Sequence, residues 1–320
     1  MNLPNTLPDS GAKTRAIFAV ELGGTHATVA LVGERRLLAK EELTLPSTKM
    51  LSPVLPSIAS HLERWRETAD LVGFALGFCG LVDSVNHRVL STNGKYEDAV
   101  DLDLPTWSQQ QFGLPLRLEN DVRMALLGEA IAGAARHETD VVLLTLGTGI
   151  GSAVMMNGEL LRGKHGQAGN LCGHIAVGRE RRTCNCGNVG CAESEASGWG
   201  LPAVSRDWPG FAASGLAKGA VNFERLFQLA ESGDRVSIEI RDRCLDIWAD
   251  TALAAAHSFG PELILVGGGV MRSGNIILDK IASRLQQAWT PWGRVRVAAA
   301  ALGEDAALYG ALRMFNTEIQ

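Results

Sequence analysis

The stretch "VVLLTLGTGIGSAV" (Val141–Val154) is an apolar run, a turn with three glycines in five residues, and a second apolar run. Continuous Val and Leu predict a strand buried on both faces. The extension to Met156 is too short and too broken by glycine to cross a membrane. Its importance lies in what it repeats. Near the start of the chain, "AIFAVEL" (Ala16–Leu22), the turn "GGTH" and "ATVALVG" (Ala27–Gly33) follow the same order. A third run, "LLAKEELTL" (Leu37–Leu45), comes after a charged turn. In the later copy, "SAVMMNGELLRG" carries an Asn157-Gly158 hairpin signal and leads to its own third strand.

Each copy continues into helix and strand. Leu55, Ile58, Ala59 and Leu62 recur at helical spacing between about Pro53 and Thr68. "LVGFALGF" (Leu71–Phe78) reads as a buried strand, and "LPLRLEND" as a strand running into the helix "VRMALLGEAIAGA". After the second copy comes a long helical region, about Asn222 to His257, and then the buried strand "PELILVGGGV". The pattern returns after about 125 residues. Two related α/β lobes with a cleft between them are the expected architecture.

Composition is consistent with this. The chain has 320 residues, 46% hydrophobic and 20% charged, enough for roughly two domains and a large core. Its formal charge of −5 gives no global basic field to gather nucleic acid or anionic lipid. "MNLPNTLPDSGAKTR" is polar and lacks the apolar core of a signal peptide, so a cytoplasmic protein is expected.

Three glycine turns, "LGGT", "LGTGIG" and "VGGG", each follow an apolar strand. One such turn does no more than close a hairpin. Three facing one cleft suit a polyphosphate, because backbone N–H groups freed at such turns form concave anion sites. A separate feature is "CGHIAVGRERRTCNCGNVGCAES" (Cys172–Ser194), which holds four of the six cysteines. In a reducing compartment such spacing favours a metal over disulfides. The run lacks the second histidine pair and the length of a DNA-reading finger.

Taken in order, these motifs resemble the ROK family of sugar kinases and related repressors, within the actin-like ATPase superfamily. "ELGGT" resembles the first phosphate motif, and "GFCGLVD" (Gly77–Asp83) the loop below the sugar. "LEND" resembles the catalytic turn, and "LGTGIGSA" the second phosphate motif. "GH" followed by "CNCGNVGCAE" resembles the zinc and sugar signature. "PELILVGGGV" and "LGEDAALYGA" resemble the adenosine motif and the closing helix. The resemblance covers nearly everything from Ala16 onward.

The resemblance implies two actin-like (ribonuclease H-like) lobes. Residues 16–121 with 304–320 would form the smaller, and 122–303 the larger, with a zinc loop; residues 1–15 are expected to be a tail. It implies an ATP-dependent hexose kinase that phosphorylates a primary hydroxyl of a glucose-like sugar. Asp121 would be the base; from residues alone, Asn120 or Asp121 serves equally as a helix N-cap. Gly80, Asn93, Asn120, Asn170, His174 and Glu193 would contact the sugar. ATP and Mg²⁺ would be held by Glu21, Gly23, Gly24, Thr25, Gly147, Thr148, Gly149, Gly267, Gly268 and Gly269. Structural zinc would be bound by His174, Cys184, Cys186 and Cys191, one nitrogen and three sulfurs in a closed site. Cys172 is a fifth candidate ligand, and an all-cysteine site without His174 is the alternative.

Two departures stand out. Glu21 replaces the usual aspartate of the first phosphate motif. "AGNLCGH" (Ala168–His174) has Asn170 and one extra residue where most sugar-kinase relatives carry a sugar-contacting glutamate. A different hexose, an N-acetylhexosamine, or a sugar-binding pseudo-kinase are the alternatives this opens. A repressor is disfavoured, because the first strand starts too early to leave room for a DNA-binding segment. A homodimer is expected from family analogy alone.

Overall fold

A computed structural model of the chain describes residues 13–23, 27–34, 36–92, 94–178, 180–288 and 293–315. The expected contacts Gly24, Thr25 and Asn93 lie outside the described residues. The first half runs β1 (Thr14–Leu22), β2 (Ala27–Val32), β3 (Leu37–Leu43), α1 (Leu55–Arg66) and β4 (Ala69–Phe78). A small hairpin of β5 (Gly80–Asp83) and β6 (Arg88–Thr92) follows, then α2 (Leu104–Phe112), β7 (Leu116–Asn120) and α3 (Asp121–Ala132). The second half runs β8 (Val141–Leu146), β9 (Ile150–Met156), β10 (Glu159–Leu160), α4 (Ala192–Ala196), α5 (Leu201–Arg206), α6 (Phe223–Glu231) and α7 (Arg235–Phe259). It closes with β11 (Leu263–Gly267), α8 (Ile276–Gln287), β12 (Arg296–Ala299) and α9 (Ala306–Met314).

The internal repeat is a repeat of topology. One sheet has the order β3-β2-β1-β4-β7 and the other β10-β9-β8-β11-β12. In each, the first three strands form an antiparallel meander, and the next two add in parallel. Such central strands are covered on both faces, which is why their sequences are apolar runs rather than alternations. Every residue of β2 and of β11 is buried.

Two differences from the sequence reading have local causes. The helical region after Asn222 is two helices: Gly233, at φ 90°, turns the chain after α6, and Asp234 starts α7 by accepting the N–H of Ser237 at 2.9 Å. The last strand, β12, was not anticipated: its four residues "RVAA" are partly exposed and lack the repeated Val, Ile and Leu that mark the buried strands.

Helices α3 and α9 join the two sheets. Leu126 of α3 packs with Val141, Leu143 and Leu265 of the second sheet. Leu308, Ala311 and Leu312 of α9 pack with Ile17, Ala30 and Ala75 of the first. The two helices touch backbone to backbone at Gly128 and Gly310. A Cβ on Gly128 would strike the carbonyl of Ala306, and one on Gly310 that of Met124. The crossing therefore brings α3 tightly between the sheets and holds its N-terminus at the end of β7.

Candidate active site

Glu21, Gly23, Gly80, Asn120, Asp121 and the glycines at 147–149 and 267–269 lie at the carboxyl ends of β1, β4, β7, β8 and β11, where an open α/β sheet presents its ligand crevice, whereas Asn170, His174 and Glu193 come from the segment between β10 and α4 and from α4 itself. Register places Leu22 beside Phe78 and Phe78 beside Asn120, so three of these ends are level.

At the end of β7 the helix cap falls to Asn120. Its Oδ1 accepts the N–H of Val122 at 3.0 Å and of Arg123 at 3.2 Å. Its Nδ2 donates to Gly80 O at 3.1 Å and to Asp121 Oδ1 at 2.9 Å. Asp121 is the first helical residue, and its Oδ1 also accepts the N–H of Val122 at 2.9 Å. Burial pushes its carboxyl up to about 6, partly offset by the hydrogen bonds from Val122 and Asn120. A carboxyl in that range is suited to take a proton near neutral pH. Gly77 lets β4 pass close by: a Cβ there would sit 3.1 Å from Met124 Sδ and 3.7 Å from the Cα of Asp121.

Glu21 lies near the end of β1, beside Gly77 in register. Its carboxyl is raised to about 8, first by burial and then by the negative charge of Asp121, with Lys40 opposing. Lys40 is itself held by Asp305 at 2.6 Å. Carboxylate oxygens are the donors a divalent cation takes, so Glu21 and Asp121 are residues here that could hold one. Cys79, on the same rim, donates its N–H to Leu22 O at 3.2 Å, and burial pushes its thiol up to about 12. It is no nucleophile in that state.

The other glycine turns meet each other. Gly147 N donates to Gly149 O at 3.0 Å within the turn after β8. Gly268, at φ 90°, follows β11, and a Cβ there would collide with the backbone of Leu146. Gly267 and Gly269 flank it, so the turns after β8 and β11 form one surface. Gly198 N donates to Gly147 O at 2.9 Å and Trp199 N to Thr148 O at 3.0 Å, which ties this surface to the segment after α4.

The cysteine loop brings four of its five candidate ligands together. His174, Cys184, Cys186 and Cys191 place their ligand atoms within 4.8 Å of one another. Cys186 and Cys191 sulfurs are 3.7 Å apart, and Cys184 Sγ is 3.5 Å from His174 Nδ1. Tetrahedral zinc with Zn–S of about 2.3 Å and Zn–N of about 2.0 Å has edges of nearly those lengths. The residues therefore fit zinc. Cys172 is buried in the core with Val142 and Ala192, its N–H donating to Ser152 Oγ at 2.9 Å, and it stands apart from the cluster. With Nδ1 of His174 among the sulfurs, Nε2 is the nitrogen left for a hydroxyl.

Glu193, two residues past Cys191, is fixed at both oxygens. Oε2 accepts the N–H of Ile150 at 2.8 Å and Oε1 that of the Trp199 indole at 3.1 Å. Gly149 is required here, since its Cβ would lie 2.8 Å from Glu193 Oε2. Ile150 and Gly151 are a meeting point for the whole site. A Cβ on Gly151 would be 2.7 Å from Val122 Cγ2, next to Asp121, and one on Gly173 would strike Ile150 O, next to His174. Glu193 itself, and Val122 and Gly173, the chain neighbours of Asp121 and His174, thus meet the strand that leaves the second glycine turn. Trp199 and Ile150 were not anticipated: an indole and a backbone N–H carry no motif of their own.

Asn170 is buried, at the end of a bend in which Gly169 has φ 76° and packs on Val154. Ser152 holds this bend by donating to Gly169 O at 3.0 Å.

The ROK family model matches residues 17–318 of the chain. The chain belongs to the ROK family. It is 31% identical over 312 residues to a glucokinase of Thermotoga maritima, covering 95% of this chain and 98% of that one. An N-acetylmannosamine kinase of Salmonella arizonae is 28% identical over 297 residues, 92% of this chain and 96% of the relative. Among solved structures, a ROK family glucokinase from Streptomyces griseus in complex with glucose and AMPPNP superposes with a TM-score of 0.76 at 28% identity, covering 93% and 98% of the two chains. The actin-like fold expected for the ROK family is the fold described above.

Proposed function

We propose that this ROK protein is an ATP-dependent hexose kinase that phosphorylates the primary hydroxyl of a glucose-like sugar, with Asp121 as the base. The observation that supports the reading is that Glu193 is held on Ile150, at the exit of a glycine turn, where Val122 beside Asp121 and Gly173 beside His174 also pack.

ATP lies over the turns at Gly23, Gly147–Gly149 and Gly267–Gly269, whose N–H groups face its phosphates. The sugar sits over Gly80, Asn120, Asn170, His174 and Glu193. Asp121 accepts the proton as the hydroxyl oxygen attacks the γ-phosphorus, and ADP departs; most of the catalysis is positioning. Glu193 enters with its direction already set by Ile150 and Trp199, so little loop entropy is lost when its oxygens accept sugar hydroxyls. His174, Cys184, Cys186 and Cys191 would hold zinc, which when bound would supply a closed structural clamp for that loop. Glu21 would hold Mg²⁺, which when bound would supply charge neutralisation for the phosphates. The reading carries with it a cytoplasmic homodimer by family analogy, which sedimentation checks. Among the described residues no helix is long and apolar enough to cross a membrane.

Asn170 favours a second substrate reading. A buried amide both donates and accepts, which suits the acyl group of an N-acetylhexosamine better than a carboxylate does. A coupled ATP assay over glucose, mannose, N-acetylmannosamine and N-acetylglucosamine ranks the two. Sugar binding by calorimetry with no turnover of any of them would replace the kinase by a sugar-binding pseudo-kinase.

A further inference from the structure

Glu119, the neighbour of Asn120 in β7, is 2% exposed. Its Oε1 accepts the N–H of Asn120 at 2.9 Å, and its Oε2 lies 2.6 Å from Arg162 Nη2. Arg123, fully buried in the first turn of α3, stands 3.9 Å from Glu119 Oε1. The guanidinium of Arg123 donates to Leu161 O at 3.1 Å, Gly166 O at 2.5 Å and Ala168 O at 2.7 Å. Residues 161–168 are therefore bound along their length by side chains of the turn that carries Asp121.

The same segment is tied to β5 and the turn after it. Arg162 Nη1 donates to Ser84 Oγ at 2.5 Å, and Gln167 Nε2 to Val82 O at 3.0 Å. The segment then runs directly into Gly169 and Asn170. Its Arg162 comes from beyond β10 of the second sheet, while Glu119 and Ser84 belong to the first half. One guanidinium thus bridges two parts of the first half and anchors the loop that enters the sugar side of the cleft.

Such a pair is poor evidence for stability, because desolvating the charges costs about as much as their attraction returns. It is a means of fixing geometry. We propose that Glu119 and Arg162 are positioning residues for the sugar. Their ion pair sets the segment Leu161–Asn170 against the Asn120–Asp121 turn, and so fixes the sugar-facing wall of the cleft relative to the base. The inference rests on the kinase reading for the identity of that wall.

The test uses the full chain with ATP and the hexose that wild type turns over best. Arg162→Gln, Arg162→Lys, Glu119→Gln and the Glu119→Gln/Arg162→Gln double variant are compared, each with its melting temperature. Arg162 is partly exposed and tolerates substitution, whereas Glu119→Gln leaves Arg123 without a counter-charge. Arg162→Gln raises the sugar KM about tenfold and leaves the ATP KM within about twofold. Arg162→Lys, which keeps the charge, returns to within about threefold of wild type. The double variant costs less than the product of the singles. A folded Arg162→Gln protein with an unchanged sugar KM overturns the proposal and leaves the kinase reading standing. So does a sugar KM that rises only together with the ATP KM. A wild type that phosphorylates no hexose overturns the kinase reading instead, and calorimetric sugar affinities of the same variants then decide the proposal. A wild type that binds no sugar overturns both.

Discussion

Asn120 caps α3 and at the same time holds Asp121. Its Oδ1 accepts from Val122 and Arg123, and its Nδ2 donates to Asp121 Oδ1 at 2.9 Å. The capping duty open to either residue by sequence falls to the first, and the second is left as a half-buried carboxylate held by Asn120 and Val122. Asp121→Asn should therefore lower kcat by about 10²–10⁴-fold with a melting temperature close to wild type. Asn120→Ala should instead cost about 1 kcal/mol of stability through the lost cap, and reduce activity as well. Wild-type turnover by Asp121→Asn would remove the base assignment.

The same burial predicts the pH profile. With its carboxyl raised to about 6, Asp121 would be protonated in mild acid and could not then serve as the proposed base. The kcat/KM profile of the free enzyme should climb tenfold per pH unit below about 6 and level off above it. Asn120→Ala removes a hydrogen bond that favours the ionised form, so the limb moves to higher pH. A profile flat from about pH 5 to 8 would contradict the assignment.

Glu21 gives a stability test of opposite sign to an ordinary carboxylate. Its folded value is about 8 against 4.5 unfolded, so between these the folded chain holds a proton that the unfolded chain has released. Stability from this group is present at low pH and is lost as pH rises toward 8. Glu21→Gln should melt above wild type near pH 8.5, match it near pH 4.5, and lose turnover with Mg²⁺·ATP. A wild type more stable than the variant at the higher pH would show that Glu21 is not strained by burial.

For the zinc loop, metal analysis should find one zinc per chain. Cys186→Ser should lose it, lower the melting temperature and raise the sugar KM, because Glu193 follows Cys191 on the clamped loop. Cys172→Ala should keep its zinc, since that thiol is buried in the core apart from the cluster. Zinc loss in Cys172→Ala would restore the all-cysteine alternative.

The repeat, the strand and helix types, and the site motifs were legible along the chain because each is written in local chemistry. Buried parallel strands require continuous Val, Ile and Leu, tight anion-facing turns require glycine, and a closed zinc site requires sulfur and imidazole at short spacing. The break between α6 and α7 was legible only in retrospect, from one glycine and one aspartate inside an otherwise helical pattern. β12 left no mark, because an edge strand held by its neighbour needs no strong pattern of its own.

What the sequence by itself determined is the inventory: two halves of one topology, three glycine turns, a carboxylate at a strand-to-helix turn, and a loop rich in cysteine with one histidine. Only the tertiary structure decided which of these meet. The separation of Cys172 from the cluster of one histidine and three cysteines, the choice of Asn120 as cap, the hold of Trp199 on Glu193 and the bridge from Glu119 to Arg162 involve residues with no fixed spacing. Such contacts are set by how two sheets and the crossing of α3 and α9 pack, and close packing acts on distance in space, to which order along the chain is no guide.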